Sequence, residues 1–80
     1  MAATTTGRPT VARRPRLASL VAGVPNNKIS IANAAGDAVR ALYEQAARDG
    51  DTVDSPTLTI SVRLAAKGVA VTATADRTGA

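Results

Sequence analysis

Residues 57–76, TLTISVRLAAKGVAVTATAD, decide the fold, because two runs of period-two alternation flank a turn signal. Leu58, Ile60, Val62 and Leu64 alternate with Thr57, Thr59, Ser61 and Arg63, and then Val69, Val71, Ala73 and Ala75 alternate with Ala70, Thr72, Thr74 and Asp76. Successive strand side chains point to opposite faces, so each run is a strand with one apolar face. Ala65-Ala66-Lys67-Gly68 joins them into a hairpin. A four-residue loop pairs Leu64 with Val69, Val62 with Val71 and Ile60 with Ala73. A two-residue Lys67-Gly68 turn pairs Leu64 with Val71 instead. Both keep the apolar face intact, so the register stays open by two residues. The hydroxyls of Thr57, Thr59, Ser61, Thr72 and Thr74 form the solvated face. Two strands are marginal in water and leave an edge unprotected unless a third strand joins, from the segment around Ile29, from the N-terminal arm, or from a second chain.

Upstream, the apolar period changes from 2 to 3.6. Ala32, Ala35, Val39, Leu42, Tyr43 and Ala46 recur at helical spacing, with Asp37, Arg40, Glu44, Gln45 and Arg48 opposite, which predicts an amphipathic helix over about 32–49. Ser30 or Asn33 is the expected N-cap and Gly50 the residue that ends the helix; Gly36 near the start allows a later beginning at Asp37. The preceding patch Leu17–Val24 (LASLVAGV), closed by Pro25-Asn26-Asn27, has its apolar residues at 17, 20, 21 and 24, a spacing that favours a short helix over a strand. Lys28 to Ile31 alternates and reads as a short strand or a lead-in. The resulting fold class is α+β: one amphipathic helix packed on a C-terminal β-hairpin, a small antiparallel sheet, with the 17–31 segment closing one edge and an extended basic N-terminal arm. Residues 1–16 form the arm, 17–76 the domain and 77–80 a polar tail. The expected core is Leu20, Val21, Ile29, Ile31, Val39, Leu42, Tyr43, Leu58, Ile60, Val62, Leu64, Val69 and Val71, in which truncating Leu42 or Ile60 to Ala costs about 2–4 kcal/mol.

The arm MAATTTGRPTVARRPR has one isolated aliphatic residue, Val11, with Pro9 and Pro15 and a cluster of Arg, and does not bury enough surface to order itself. Residues 1–28 carry Arg8, Arg13, Arg14, Arg16 and Lys28 with no acid, a sum of +5, whereas residues 29–80 carry five bases and six acids, a sum of −1. These five cations are the candidate partner- or phosphate-binding residues. Arg neutralises phosphates and pairs with carboxylates, but the arm has no aromatic residue to stack on bases and no recognisable nucleic-acid motif surrounds it. The first twenty-odd residues loosely match a secretory signal or a transit peptide, although Pro9 and Pro15 break the helix a presequence needs. A cytoplasmic or virion-associated setting is therefore preferred to secretion.

Composition narrows the chemistry. Half the hydrophobic residues are alanine and the one aromatic residue is Tyr43, so the core is thin. With neither Cys nor His, thiol nucleophiles, imidazole bases, structural zinc and haem ligation are excluded. The carboxylates of Asp49, Asp51 and Asp54 crowd one loop, but the bidentate Glu a twelve-residue calcium loop needs is missing where Ile60 stands, so no metal is expected. No phosphate loop, cofactor or small-molecule substrate is implied, and no apolar run approaches the roughly 18–20 residues that span a bilayer. A small domain without these supplements relies on partners. The expectation is a non-enzymatic accessory subunit of a larger protein assembly or a homo-oligomer, a virion cement or connector being one concrete form. The alternative is a nucleic-acid-associated protein whose arm contacts phosphates.

Overall fold

The computed structural model describes residues 15–79. Strand β1 (Leu17–Val24) leads to helix α1 (Lys28–Arg48), strand β2 (Asp51–Val53), a 3-10 turn (Ser55–Thr57), strands β3 (Thr59–Leu64) and β4 (Val69–Ala75), and strand β5 (Arg77–Gly79). The fold is α+β: α1 packs on an antiparallel sheet of order β1-β4-β3, and β2 pairs with β5 in a separate two-stranded ribbon.

The hairpin takes the four-residue loop. Leu64 pairs with Val69, Val62 with Val71 and Ile60 with Ala73, and Ala65 N–H donates to the Gly68 carbonyl at 3.1 Å. Gly68 has φ 64°, and a Cβ there would run into the Val24 carbonyl oxygen, so this turn must be glycine to lie against the end of β1. The hairpin is not strictly C-terminal in the chain, since β5 follows it, and within the sheet β4 is the central strand and β3 an edge.

The segment 17–24 is a strand, not the helix its spacing favours. Leu17, Ser19 and Val21 lie opposite Ala75, Ala73 and Val71, on the side that faces α1. A register irregularity between Val21 and Val24, where Gly23 takes φ 69°, then returns Val24 to that side opposite Val69. A period of two interrupted by one bulge therefore reproduces part of a helical spacing, and Leu20, the residue that completed it, points to the other side and is exposed. This strand closes one edge of the hairpin; the residues around Ile29 do not.

Those residues are helix instead. Asn27 ends the Pro25-Asn26-Asn27 turn in extended backbone and its Oδ1 accepts from the Ser30 N–H at 2.8 Å, so α1 begins at Lys28, four residues before the periodicity suggests, and neither Ser30 nor Asn33 is the cap. Its end agrees with expectation: Gly50, at φ 74°, donates its N–H to the Ala47 carbonyl at 3.1 Å. The buried stripe is Ala34, Ala38, Leu42 and Ala46. Val39 and Ala35 are half-buried beside it, while Ala32 and Tyr43 are exposed. A stripe of alanines lets the helix lie close to the sheet, and close approach rather than side-chain bulk then excludes water.

The core is one continuous layer in two parts. Leu17, Ala38, Leu42, Ala46, Val53, Ala73 and Ala75 form one cluster, and Val24, Ala34, Val69 and Val71 form the other, with Val21 touching both. Of the expected core, Leu42, Val69 and Val71 are buried, and Val21, Ile31, Val39 and Leu58 are partly buried. Leu20, Ile29, Tyr43, Ile60, Val62 and Leu64 are instead exposed. For Ile60, Val62 and Leu64 the reason is coverage, since α1 lies over β1 and β4 and stops short of β3; Leu20 is on the far face of β1, and Ile29 and Tyr43 lie outside the buried stripe of α1.

Residues 77–79, expected in a polar tail, form β5, with Val53 opposite Arg77, Thr52 opposite Thr78 and Asp51 opposite Gly79. The ribbon is tied to the sheet by Thr57, whose hydroxyl donates to the Asp54 carbonyl and accepts the Asp76 N–H, both at 2.8 Å.

Candidate interaction surfaces

Of the five cations singled out in the sequence, Arg8, Arg13 and Arg14 lie outside the described residues. Arg16 stands just before β1, with Nε 2.8 Å from Asp76 Oδ1. Both side chains are about half exposed, so the pair is worth at most about 1 kcal/mol. Lys28 is the exposed first residue of α1. It sits past the far end of β1 from Arg16, roughly 25 Å away along eight residues of strand. Arg16 and Lys28 therefore do not belong to one patch.

The base of the arm is instead held by a residue the sequence reading passed over. Arg77 is nearly buried: its Nη1 is 2.7 Å from Asp49 Oδ2 and 3.4 Å from Asp51 Oδ2, and its Nε donates to the Pro15 carbonyl at 3.0 Å. One guanidinium thus joins the helix exit, β2, β5 and the entry to β1, using the planar fork that only Arg supplies. The sequence offered little signal for it, since Arg48 stands directly beside Asp49 in the chain while Arg77 is 28 residues from Asp49 and 26 from Asp51. Asp49 and Asp51, considered above as a cation loop, are consumed by this clasp, and among the described residues no group of three His, Cys, Asp or Glu side chains is placed to hold a metal ion. With Arg16 on Asp76 and Pro15 on Arg77, consecutive residues at the root of the arm are fixed to consecutive residues at the end of the sheet.

The second surface is apolar and lies along β3. Across the three strands the rows facing α1 read Ser19–Ala73–Ile60, Val21–Val71–Val62 and Val24–Val69–Leu64. The middle member of each row is at most 1% exposed, whereas Ile60, Val62 and Leu64 are 44%, 49% and 81% exposed. Ile31, Ala35, Val39 and Tyr43, spaced by four along α1, form the flank of the helix on this side, since the Tyr43 and Ser55 hydroxyls are 3.3 Å apart just before β3 begins. The outcome is a shallow apolar shelf with β3 as its outer border. The sequence showed the apolar face of β3; it did not show that the helix leaves it open.

Among the described residues no helix is long and apolar enough to cross a membrane. Comparison with protein-family models, curated proteins and solved structures finds no match to this chain.

Proposed function

We propose that the protein is a non-enzymatic structural subunit of a larger protein assembly, which self-associates through its folded domain and docks on its neighbours through the N-terminal arm. A virion cement or connector is a concrete form of such a subunit. The observation that carries this reading is the placing of side chains: five of the eleven buried apolar residues are alanines, while Ile60, Val62 and Leu64 stand exposed at a sheet edge. Large aliphatic side chains left together at an edge mark a contact surface. The arm suits docking because its root is anchored at Arg16 and Pro15 and its sequence offers Arg8, Arg13 and Arg14 as partners for carboxylates or carbonyls of a neighbour. Nucleic acid is the less favoured partner: residues 29–79 sum to −1 and Arg16 already has a carboxylate.

Light scattering on the full chain, at low and high salt and with and without nuclease, tests the reading. The expected result is a defined, nuclease-resistant oligomer, which removal of residues 2–14 reduces to a smaller folded species. A monomer under every condition overturns self-association. Mass gained only with nucleic acid, and lost with salt on a log–log slope of roughly −3 to −4, assigns the arm to phosphates instead.

A further inference from the structure

We propose that the occupant of the β3 edge is β3 of a second copy of this chain, paired antiparallel across a two-fold axis at Val62 to give one six-stranded sheet. This rests on the self-association reading above and assigns it a surface and a register.

The backbone of β3 is prepared for such pairing. Because Ala65 N–H bonds inward to Gly68, alternation along the strand turns the N–H and C=O groups of Leu64, Val62 and Ile60 outward, away from β4. Edge strands are normally blunted by a bulge, proline or several charges. The other edge strand, β1, has its bulge at 21–24, but β3 runs without irregularity through all its pairs with β4 and carries one charge, Arg63.

Charge and shape then select both the occupant and the register. Residues directly opposite in an antiparallel pair share a face, so the three apolar residues must meet one another. An axis at Val62 sets Val62 on itself, Ile60 on the partner's Leu64 and Ser61 on the partner's Arg63, so every outward-facing N–H and C=O from Ile60 to Leu64 finds its mate. An axis at Ser61 leaves Leu64 beyond the pairing, and an axis at Arg63 sets two guanidinium groups opposite each other, which is unfavourable. The arm of the same chain fits the edge poorly: it offers Val11 alone against three aliphatic residues, and its Arg8, Arg13 and Arg14 would approach Arg63 and Lys67. The interface is modest, about 20 Å of strand at roughly 3.4 Å per residue, so a dimer at tens of micromolar is the expected regime.

The register has a direct test, since the chain has no cysteine of its own. Only a residue on the axis meets its own copy: under mild oxidation Val62→Cys is expected to form a disulfide dimer, whereas Ile60→Cys, about 14 Å from its mate by the strand rise, lies beyond disulfide reach and cross-links at least about tenfold more slowly. In a second measurement, Val62→Lys and Val62→Glu are each expected to be folded monomers that recover a dimer when mixed. Cross-linking at Ile60 as readily as at Val62, or no cross-linking at Val62 while the unmodified chain remains oligomeric, overturns the edge pairing and leaves self-association standing. An unmodified chain that is monomeric at these concentrations overturns both.

Discussion

The two strands of one hairpin, β3 and β4, carry the same alternation and end in opposite surroundings. In β4 each apolar residue, Val69, Val71, Ala73 and Ala75, is buried and each intervening residue is half-covered; in β3 every residue is exposed. β4 is flanked by β1 and β3 and roofed by α1, whereas among the described residues β3 has one neighbouring strand and no roof. Alternation therefore reports that a strand has an apolar face, and the position of the strand in the sheet decides whether that face is covered. Side-chain size runs against the usual order, with Ala73 and Ala75 inside and Ile60 and Leu64 outside. Small residues let the helix approach the central strand closely, and the larger ones of β3 remain exposed.

This contrast can be broken by stability measurements on the monomeric domain. Leu42→Ala removes the one large side chain of the helix stripe, fully buried against β1 and β4, and is expected to cost about 2–4 kcal/mol, enough to lower the thermal midpoint steeply or unfold so thin a core. A loss below about 1 kcal/mol means that the helix does not roof β4 as described. Arg77→Met is expected next, at about 2–3 kcal/mol, because the carboxylate of Asp51, its side chain 2% exposed, loses a buried cation; the cost is smaller in Arg77→Met/Asp51→Asn, as a denaturant titration of both variants will show. Ile60→Ala is expected to be the mildest, at about 1 kcal/mol or less in dilute solution, since its side chain is half in water. This revises the composition-based expectation that Ile60 and Leu42 cost the same, and equal losses in the monomer restore that expectation and remove the contrast between the strands. A larger effect of Ile60→Ala at concentrations where the chain associates sharpens the contrast, because it locates the missing cover in the second copy.

Legibility in the sequence followed the range of the forces involved. The hairpin, its apolar face and the glycine end of the helix were readable because strand periodicity and positive φ at Gly50 are local properties. The start of the helix was misplaced because the capping side chain of Asn27 acts before the apolar repeat begins. Leu17–Val24 read as helix because the bulge near Gly23 changes the parity of an otherwise regular strand, and a bulge is specified by what the strand pairs with. Asp49 and Asp51 read only as carboxylates crowded in one loop because their partner, Arg77, is 26 or more residues away in the chain. Of the candidate site residues, Arg16 was legible as a charge seeking a carboxylate, but not as one that finds Asp76 within its own chain.

By itself, the sequence determined that this is a small α+β protein with a basic, acid-free arm, without thiol or imidazole chemistry, whose apolar residues lie on one face of each hairpin strand and along one side of a helix. These properties are summed over local pattern and composition. Only the tertiary structure decided which of those faces are hidden. A helix about 10 Å across covers about two strands spaced near 4.8 Å, so the third strand keeps its Ile, Val and Leu in the open. That mismatch between a three-stranded sheet and a single helix is the physical origin of the surface along β3.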